Sequence, residues 1–168
     1  AAARAASAVR LASRFGVSVG EPVVDYARVR AHVHGVIAAI APNDSVERFT
    51  GLGVRVVKGT AAFTGPGEVA AGEVRVRARR FVVATGSSAA VPPIPGLDKV
   101  PYLTNETIFD LDRCPEHLIV IGAGPIGCEL AQAHRRLGAR VSVLELATMM
   151  PKDDPELVDV VRRSLQAD

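Results

Sequence analysis

The chain has 168 residues, 48% hydrophobic and 23% charged, and its 20 Lys and Arg against 18 Asp and Glu give a formal net charge of +2. That balance excludes collagen-like or wholly disordered chains and supplies no basic excess for a nucleic-acid surface. With no Trp, two Tyr and five Phe, packing falls to Ala, Val, Leu and Ile, and no apolar stretch reaches the roughly 20 residues that span a bilayer, so neither nucleic acid nor a membrane is expected as partner.

Residues 1–14 are rich in Ala, Leu and Arg without a breaker, which predicts a helix punctuated by Gly16. Asp25 is placed to cap a second helix running to about Ala41. Val29, Val33, Ile37 and Ile40 give it an apolar stripe, and Pro42 stops it. Residues 44–49 read as a short polar turn of helix. The period then changes. Val54, Val56 and Val57 predict a short strand ending near Gly59. Residues 68–71 and 73–78 predict an antiparallel pair about Gly72, with Val74 and Val76 alternating with Arg75 and Arg77. Phe81-Val82-Val83-Ala84 is apolar throughout and predicts a strand buried on both faces. A polar turn follows at Thr85-Gly86-Ser87-Ser88. Pro92, Pro93, Pro95 and Gly96 form a linker, and a domain boundary is expected between Ser88 and Pro115.

Leu118-Ile119-Val120-Ile121 predicts a buried strand leading into Gly122-Ala123-Gly124-Pro125-Ile126-Gly127. A helix is expected to about Leu137, with Ile126, Leu130, Ala133 and Leu137 facing inward, and Val141-Ser142-Val143-Leu144 predicts the next strand. This is the order of the first βαβ unit of a dinucleotide-binding fold. Gly122 permits the tight turn, Gly124 removes a side chain where a diphosphate would approach, and Gly127 lets helix pack on strand. Pro125 and Ile126 open the helix, whose free amides and dipole favour the diphosphate. The alternative is a purely structural glycine turn. Glu145, eighteen residues after Gly127, is placed to accept both hydroxyls of an adenosine ribose. Its charge opposes a 2′-phosphate, and Leu146 and Ala147 offer no neutralising cation, so NAD(H) is expected over NADP(H). The alternative for Glu145 is a solvated carboxylate at a strand end.

Cys114 and Cys128 stand fourteen positions apart without a CxxC motif, which suits a reducing compartment and a cytoplasmic protein. Cys128 reads as apolar packing in a helix. His117 reads as a loop cap and His134 as a polar residue on the outside of its helix, and no histidine is expected to serve as acid or base. Asp153, Asp154 and Glu156 around Pro155 read as a helix N-terminus rather than a metal site.

In order along the chain, Val82-Val83-Ala84-Thr85-Gly86-Ser87, Pro92-Pro93-Ile94-Pro95-Gly96-Leu97, Leu103-Thr104-Asn105-Glu106 and the unit from Gly122 to Glu145 resemble the class I flavin-dependent pyridine nucleotide–disulfide oxidoreductases. That family includes mercuric reductase, dihydrolipoamide dehydrogenase and glutathione reductase. The resemblance implies an α/β chain. Residues 1–112 would be a partial FAD-binding domain with N-terminal helices and an antiparallel meander, and residues 113–168 the first βαβ portion of a Rossmann-like NAD(P)-binding domain. It implies that Ala84, Thr85 and Gly86 close over FAD, that Ala61 lies near the FAD adenine, and that Glu129 stands beside the flavin and the nicotinamide pocket. For Glu129 the alternative is an acidic residue placed favourably in a helix's first turn. The implied cofactors are FAD and NAD(H), the implied partner a second copy in a full-length homodimer, and the implied activity hydride transfer from NAD(P)H to flavin and on through a cysteine pair. Residues 44–49 and 103–107 lean towards mercuric-reductase-like proteins over dihydrolipoamide dehydrogenase. The family's flavin GxGxxG and CxxxxC motifs do not occur here. The 168 residues are therefore expected to be an internal portion of an oxidoreductase, on their own an inactive nucleotide-binding or scaffold fragment.

Overall fold

Residues 1–168 are described by a computed structural model. Its elements in chain order are α1 (Ala2–Leu11), α2 (Tyr26–Ile40), α3 (Val46–Gly51), β1 (Ala61–Gly65), β2 (Glu68–Ala71), β3 (Val74–Arg77), β4 (His117–Ile121), α4 (Pro125–Leu137), β5 (Arg140–Leu144) and α5 (Pro155–Ala167). Strands β1, β2 and β3 form one antiparallel sheet in that order, while β4 and β5 form a separate parallel pair. Contacts divide the chain into two units, residues 1–34 with 102–168, and residues 35–101. No helix is long and apolar enough to cross a membrane.

The first unit is built around α4. β4 and β5 pair from His117 opposite Arg140 to Ile121 opposite Leu144, and α4 makes the crossover that a parallel pair requires. The small residues of α1 let it lie close against α4: Ala6 and Ser7 are buried there, and Arg10 donates to the carbonyl of Arg136 at 2.7 Å. The helix expected through residue 14 tightens into a 3-10 turn after Leu11 and ends at Gly16, φ 79°. Asp25 caps α2 as expected, its carboxylate accepting the Arg28 amide at 3.1 Å.

The inward face of α4 differs in part from the expected one: Leu137 is buried as expected and Leu130 and Ala133 are half-buried. Cys128, Ala131, His134 and Leu137 are buried, and Ile126 is 57% exposed. The buried row runs at intervals of three, because α4 packs against α1 as well as against the strands. His134 therefore lies inside rather than outside. Its Nδ1 donates to the Leu130 carbonyl at 2.8 Å, which leaves Nε2 to accept the Tyr26 hydroxyl at 3.2 Å. Burial, with Cys114 adding to it, raises the Tyr26 hydroxyl above its usual range and keeps it a donor. His117, expected as a loop cap, is the first residue of β4 and meets Ser142 of β5 at 2.9 Å. Only one face of this strand is covered: Leu118 and Val120 are partly buried, whereas Ile119 and Ile121 on the opposite face are exposed.

In the second unit, Ser45 caps α3 by accepting the Arg48 amide at 3.1 Å. The meander pairs Phe63 with Val69 and Val69 with Val76, with Gly72 at φ 58° between β2 and β3. Glu68 gathers the sheet's charges, accepting from Arg77 and Thr64 at 2.8 Å each and from Arg75 at 2.9 Å. Two expected strands do not form. At residues 54–57 the Val54 amide is spent on the Phe49 carbonyl at the end of α3, at 3.0 Å, and the first strand comes later, at Ala61. At residues 81–84 no strand of this unit lies alongside to complete a ladder, so Val82 and Val83 are exposed rather than buried. Phe81 alone is anchored, edge-on to Phe63 with ring centroids 5.3 Å apart.

Candidate functional site

The carboxyl end of β4 turns into α4 through Gly122, which adopts φ 106° and extends the parallel pairing by donating to the Leu144 carbonyl at 2.8 Å. An L side chain rarely accepts that backbone, so the turn requires glycine. At Gly127 the constraint is space. A β-carbon there would stand 2.2 Å from the Gly122 oxygen and 3.4 Å from a Val120 methyl. Its absence is what allows the first turn of α4 to rest on the strand end.

Gly124 differs from both. It is the N-cap, with φ −74° and ψ 175°, and a β-carbon there would meet no protein atom within 4 Å. Its missing side chain therefore opens space in front of the helix terminus. Pro125 occupies the first helical position, where its missing donor costs little. Cys128 is the first residue of the helix to return a bond, to the Gly124 carbonyl at 3.0 Å. Helix geometry leaves the amides of Ile126 and Gly127 without an intrahelical acceptor. Open space, free donors and the positive end of a helix dipole together fit a diphosphate.

Glu145 follows β5 at the mouth of this loop. One carboxylate oxygen accepts the Ala123 amide at 2.8 Å and the other accepts the Ala147 amide at 3.1 Å. These two bonds, Ala123 first, lower its pKa and keep it ionised. An ionised carboxylate has about four acceptor sites, so the two not engaged suit the two hydroxyls of a ribose. Its charge, with Leu146 and Ala147 beside it, disfavours a 2′-phosphate in the same place. Cys128 is buried beneath the loop, its thiol donating to the Ala123 carbonyl at 3.5 Å. Burial, then the nearby Glu145 charge, pushes that thiol up, so it remains protonated.

The structure thus brings together Gly122, Gly124, Pro125, Ile126, Gly127 and Glu145 around one loop. Glu129 lies on the same helix, exposed, but beyond its first turn, so the favourable first-turn placement does not account for it. Ala61, Ala84, Thr85 and Gly86 belong to the other unit. Ala61 opens β1, paired with Ala71. Ala84 and Thr85 are exposed, and the turn expected at residues 85–88 does not form; Gly86 has φ 69° with open space where a β-carbon would stand. Sequence reasoning missed the part played by the Ala123 peptide. It also missed Met150, whose amide donates to the Ala123 carbonyl at 3.1 Å. A methionine carries no sequence signal for such a role.

The sequence model of the family described as pyridine nucleotide-disulphide oxidoreductase matches residues 4–168. Mercuric reductase of Streptomyces lividans is 36% identical over 163 residues, covering 94% of this chain and 34% of that protein. Mercuric reductase of Bacillus cereus is 31% identical over 151 residues, covering 89% of this chain and 24% of that protein. Among solved structures, the HOCl-induced flavoprotein disulfide reductase RclA of Escherichia coli superposes with a TM-score of 0.70 at 25% identity, over 85% of this chain and 34% of that one. The chain thus spans about a third or less of the length of these relatives.

Proposed function

Because the chain belongs to the pyridine nucleotide-disulphide oxidoreductases, we propose that it is part of an FAD-dependent oxidoreductase of the mercuric-reductase kind and carries the NAD(H) site of that enzyme at Gly122–Glu145. On this reading residues 113–168 begin the NAD(H) domain and residues 1–112 are part of the FAD domain. The observation that carries it is the glycine loop: Gly127 packed where no β-carbon fits, Gly124 open, and an ionised Glu145 at the mouth.

The residues divide the work of binding. The amides of Ile126 and Gly127 and the α4 terminus take the diphosphate, with Gly124 giving it room and Pro125 presetting the first turn. Glu145 grips the adenosine ribose and selects NAD(H) over NADP(H). Glu129, exposed on α4, is assigned to the flavin-facing side of the nicotinamide pocket. Ala61, Ala84, Thr85 and Gly86 border the FAD, where small side chains, the Thr85 hydroxyl and the missing side chain of Gly86 allow close approach. When both groups are bound, the chemistry they supply is hydride transfer between nicotinamide and flavin. The whole enzyme is read as a cytoplasmic homodimer, in keeping with two cysteines that are both free.

Glu145→Ala tests the reading. It is expected to raise the Kd for NADH about tenfold, as for loss of a charged hydrogen-bonding partner, while leaving flavin content unchanged. An unchanged Kd overturns the assignment. A second reading, a nucleotide-binding portion without turnover of its own, is favoured by the absence of a CxxxxC pair in these residues. A yellow sample bleached by NADH would decide for turnover, and a colourless one that still binds NADH for the second reading.

A further inference from the structure

Met150 is the only residue other than glycine with a positive φ, at 45°. Side chains with a β-carbon disfavour that conformation, and both backbone groups of Met150 are committed in it. Its amide donates to the Ala123 carbonyl at 3.1 Å, and its carbonyl accepts the Asp153 amide at 3.0 Å. Ala123 is itself 4% exposed and held from both sides. Glu145 takes its N–H at 2.8 Å, while Met150 and the Cys128 thiol, the latter at 3.5 Å, share its carbonyl.

A trans peptide is rigid and planar, with C=O and the following N–H pointing in opposite directions. Fixing the Ala123 carbonyl therefore fixes the Gly124 N–H, which has no acceptor within the chain and opens onto the space that Gly124 leaves clear. We propose that Met150 is a positioning residue for the dinucleotide site: its left-handed backbone delivers an amide to Ala123 and so sets the direction of the Gly124 N–H before a diphosphate arrives. Glu145 and Met150 then have separable tasks. Glu145 holds the sugar and the Gly122–Ala123 peptide through its N–H, whereas Met150 acts on the diphosphate through the Ala123–Gly124 peptide. This inference rests on the NAD(H) reading above.

The test compares a ligand with a diphosphate, ADP-ribose, against one without, adenosine, by amide NMR titration of the chain. Met150→Pro removes the donor and imposes a negative φ; it is expected to weaken ADP-ribose about tenfold and adenosine less than twofold. Met150→Ile keeps the donor but disfavours the backbone, and is expected to move ADP-ribose in the same direction by about threefold. Met150→Gly keeps the donor and accepts the backbone, and should match the natural chain for both ligands. A general loosening of the fold would move both ligands together, so the ratio of the two affinities is the deciding quantity, and Met150→Ile decides should Met150→Pro not fold. If Glu145→Ala weakens both ligands while the Met150 variants leave the ratio unchanged, Met150 has no such role and the site stands. If neither ligand binds the natural chain, the NAD(H) reading fails and this inference with it.

Discussion

The two units are held together by different means. Every buried residue of the chain, Ala6, Ser7, Ile108, Ala123, Cys128, Ala131, His134, Leu137 and Ala139, lies in residues 1–34 and 102–168. Residues 35–101 bury none to that degree, and Phe63, Val82 and Val83 stand largely in solvent. The first unit has a small packed centre formed where α1, α4 and the β4–β5 pair meet. The second relies on ladder hydrogen bonds, one aromatic contact and the charges around Glu68. A glycine, an apolar side chain and an ion pair should therefore differ in weight between the units.

Glycine gives the widest contrast. Gly127→Ala forces a β-carbon to 2.2 Å from a backbone oxygen, which no rotamer can relieve, so α4 must lift from the strand. The expected loss is about 3 kcal/mol or more, accompanied by loss of NADH binding. Gly86→Ala meets no atom within 4 Å and strains only the backbone at φ 69°; the expected loss is about 1 kcal/mol. Both tyrosines, Tyr26 and Tyr102, belong to the first unit and there is no Trp. Tyrosine fluorescence during urea unfolding therefore reads that unit alone, and amide NMR reads the other. Equal losses in the two variants would remove the distinction.

Apolar truncation comes next. Leu137 is 8% exposed at the end of α4, and Leu137→Ala should cost about 2–3 kcal/mol. Val83, 70% exposed, should cost less than about 0.5 kcal/mol as Val83→Ala. A Val83 cost as large as that of Leu137 would mean that residues 81–84 are packed as their apolar sequence implies.

That valine marks where the sequence could be read and where it could not. The βαβ unit was legible because its signals are local: a strand, a glycine spacing that sterics enforce at Gly127, a helix and a second strand. The Asp25 cap and the helix start at Asp154 were legible for the same reason; Asp154 accepts the Glu156 amide at 2.9 Å. Residues 81–84 failed because a strand is a property of two segments, and apolar content does not say whether the second is present. The face of α4 failed in part for a similar reason, since α1 turns the helix and α1 lies more than a hundred residues away in sequence. His134 was misplaced for want of Tyr26, its partner at the same remove. At the site, spacing pointed to Glu145 but not to its bond with Ala123, and nothing in the sequence pointed to Met150.

The smallest effect expected is electrostatic, and it belongs to the second unit. Arg77 first, then Thr64 and Arg75, lower the Glu68 pKa from 4.5 to about 2. A carboxylate held low in the folded chain stabilises it at pH values above 4.5, and that stabilisation is lost as the pH falls from 4.5 towards about 2. Because Arg75 and Arg77 are largely exposed, solvent screens the pairs and the effect is small beside the core substitutions. Protection factors for amide exchange across β2 and β3, in which the intrinsic slowing of exchange towards acid is divided out, should therefore fall progressively through that window. Glu68→Gln should lower protection at neutral pH and flatten its acid dependence, with tyrosine fluorescence unchanged because the first unit does not contain the clamp. An acid dependence that survives Glu68→Gln would assign it to other carboxylates and leave the meander held by its backbone ladder and the Phe63–Phe81 contact.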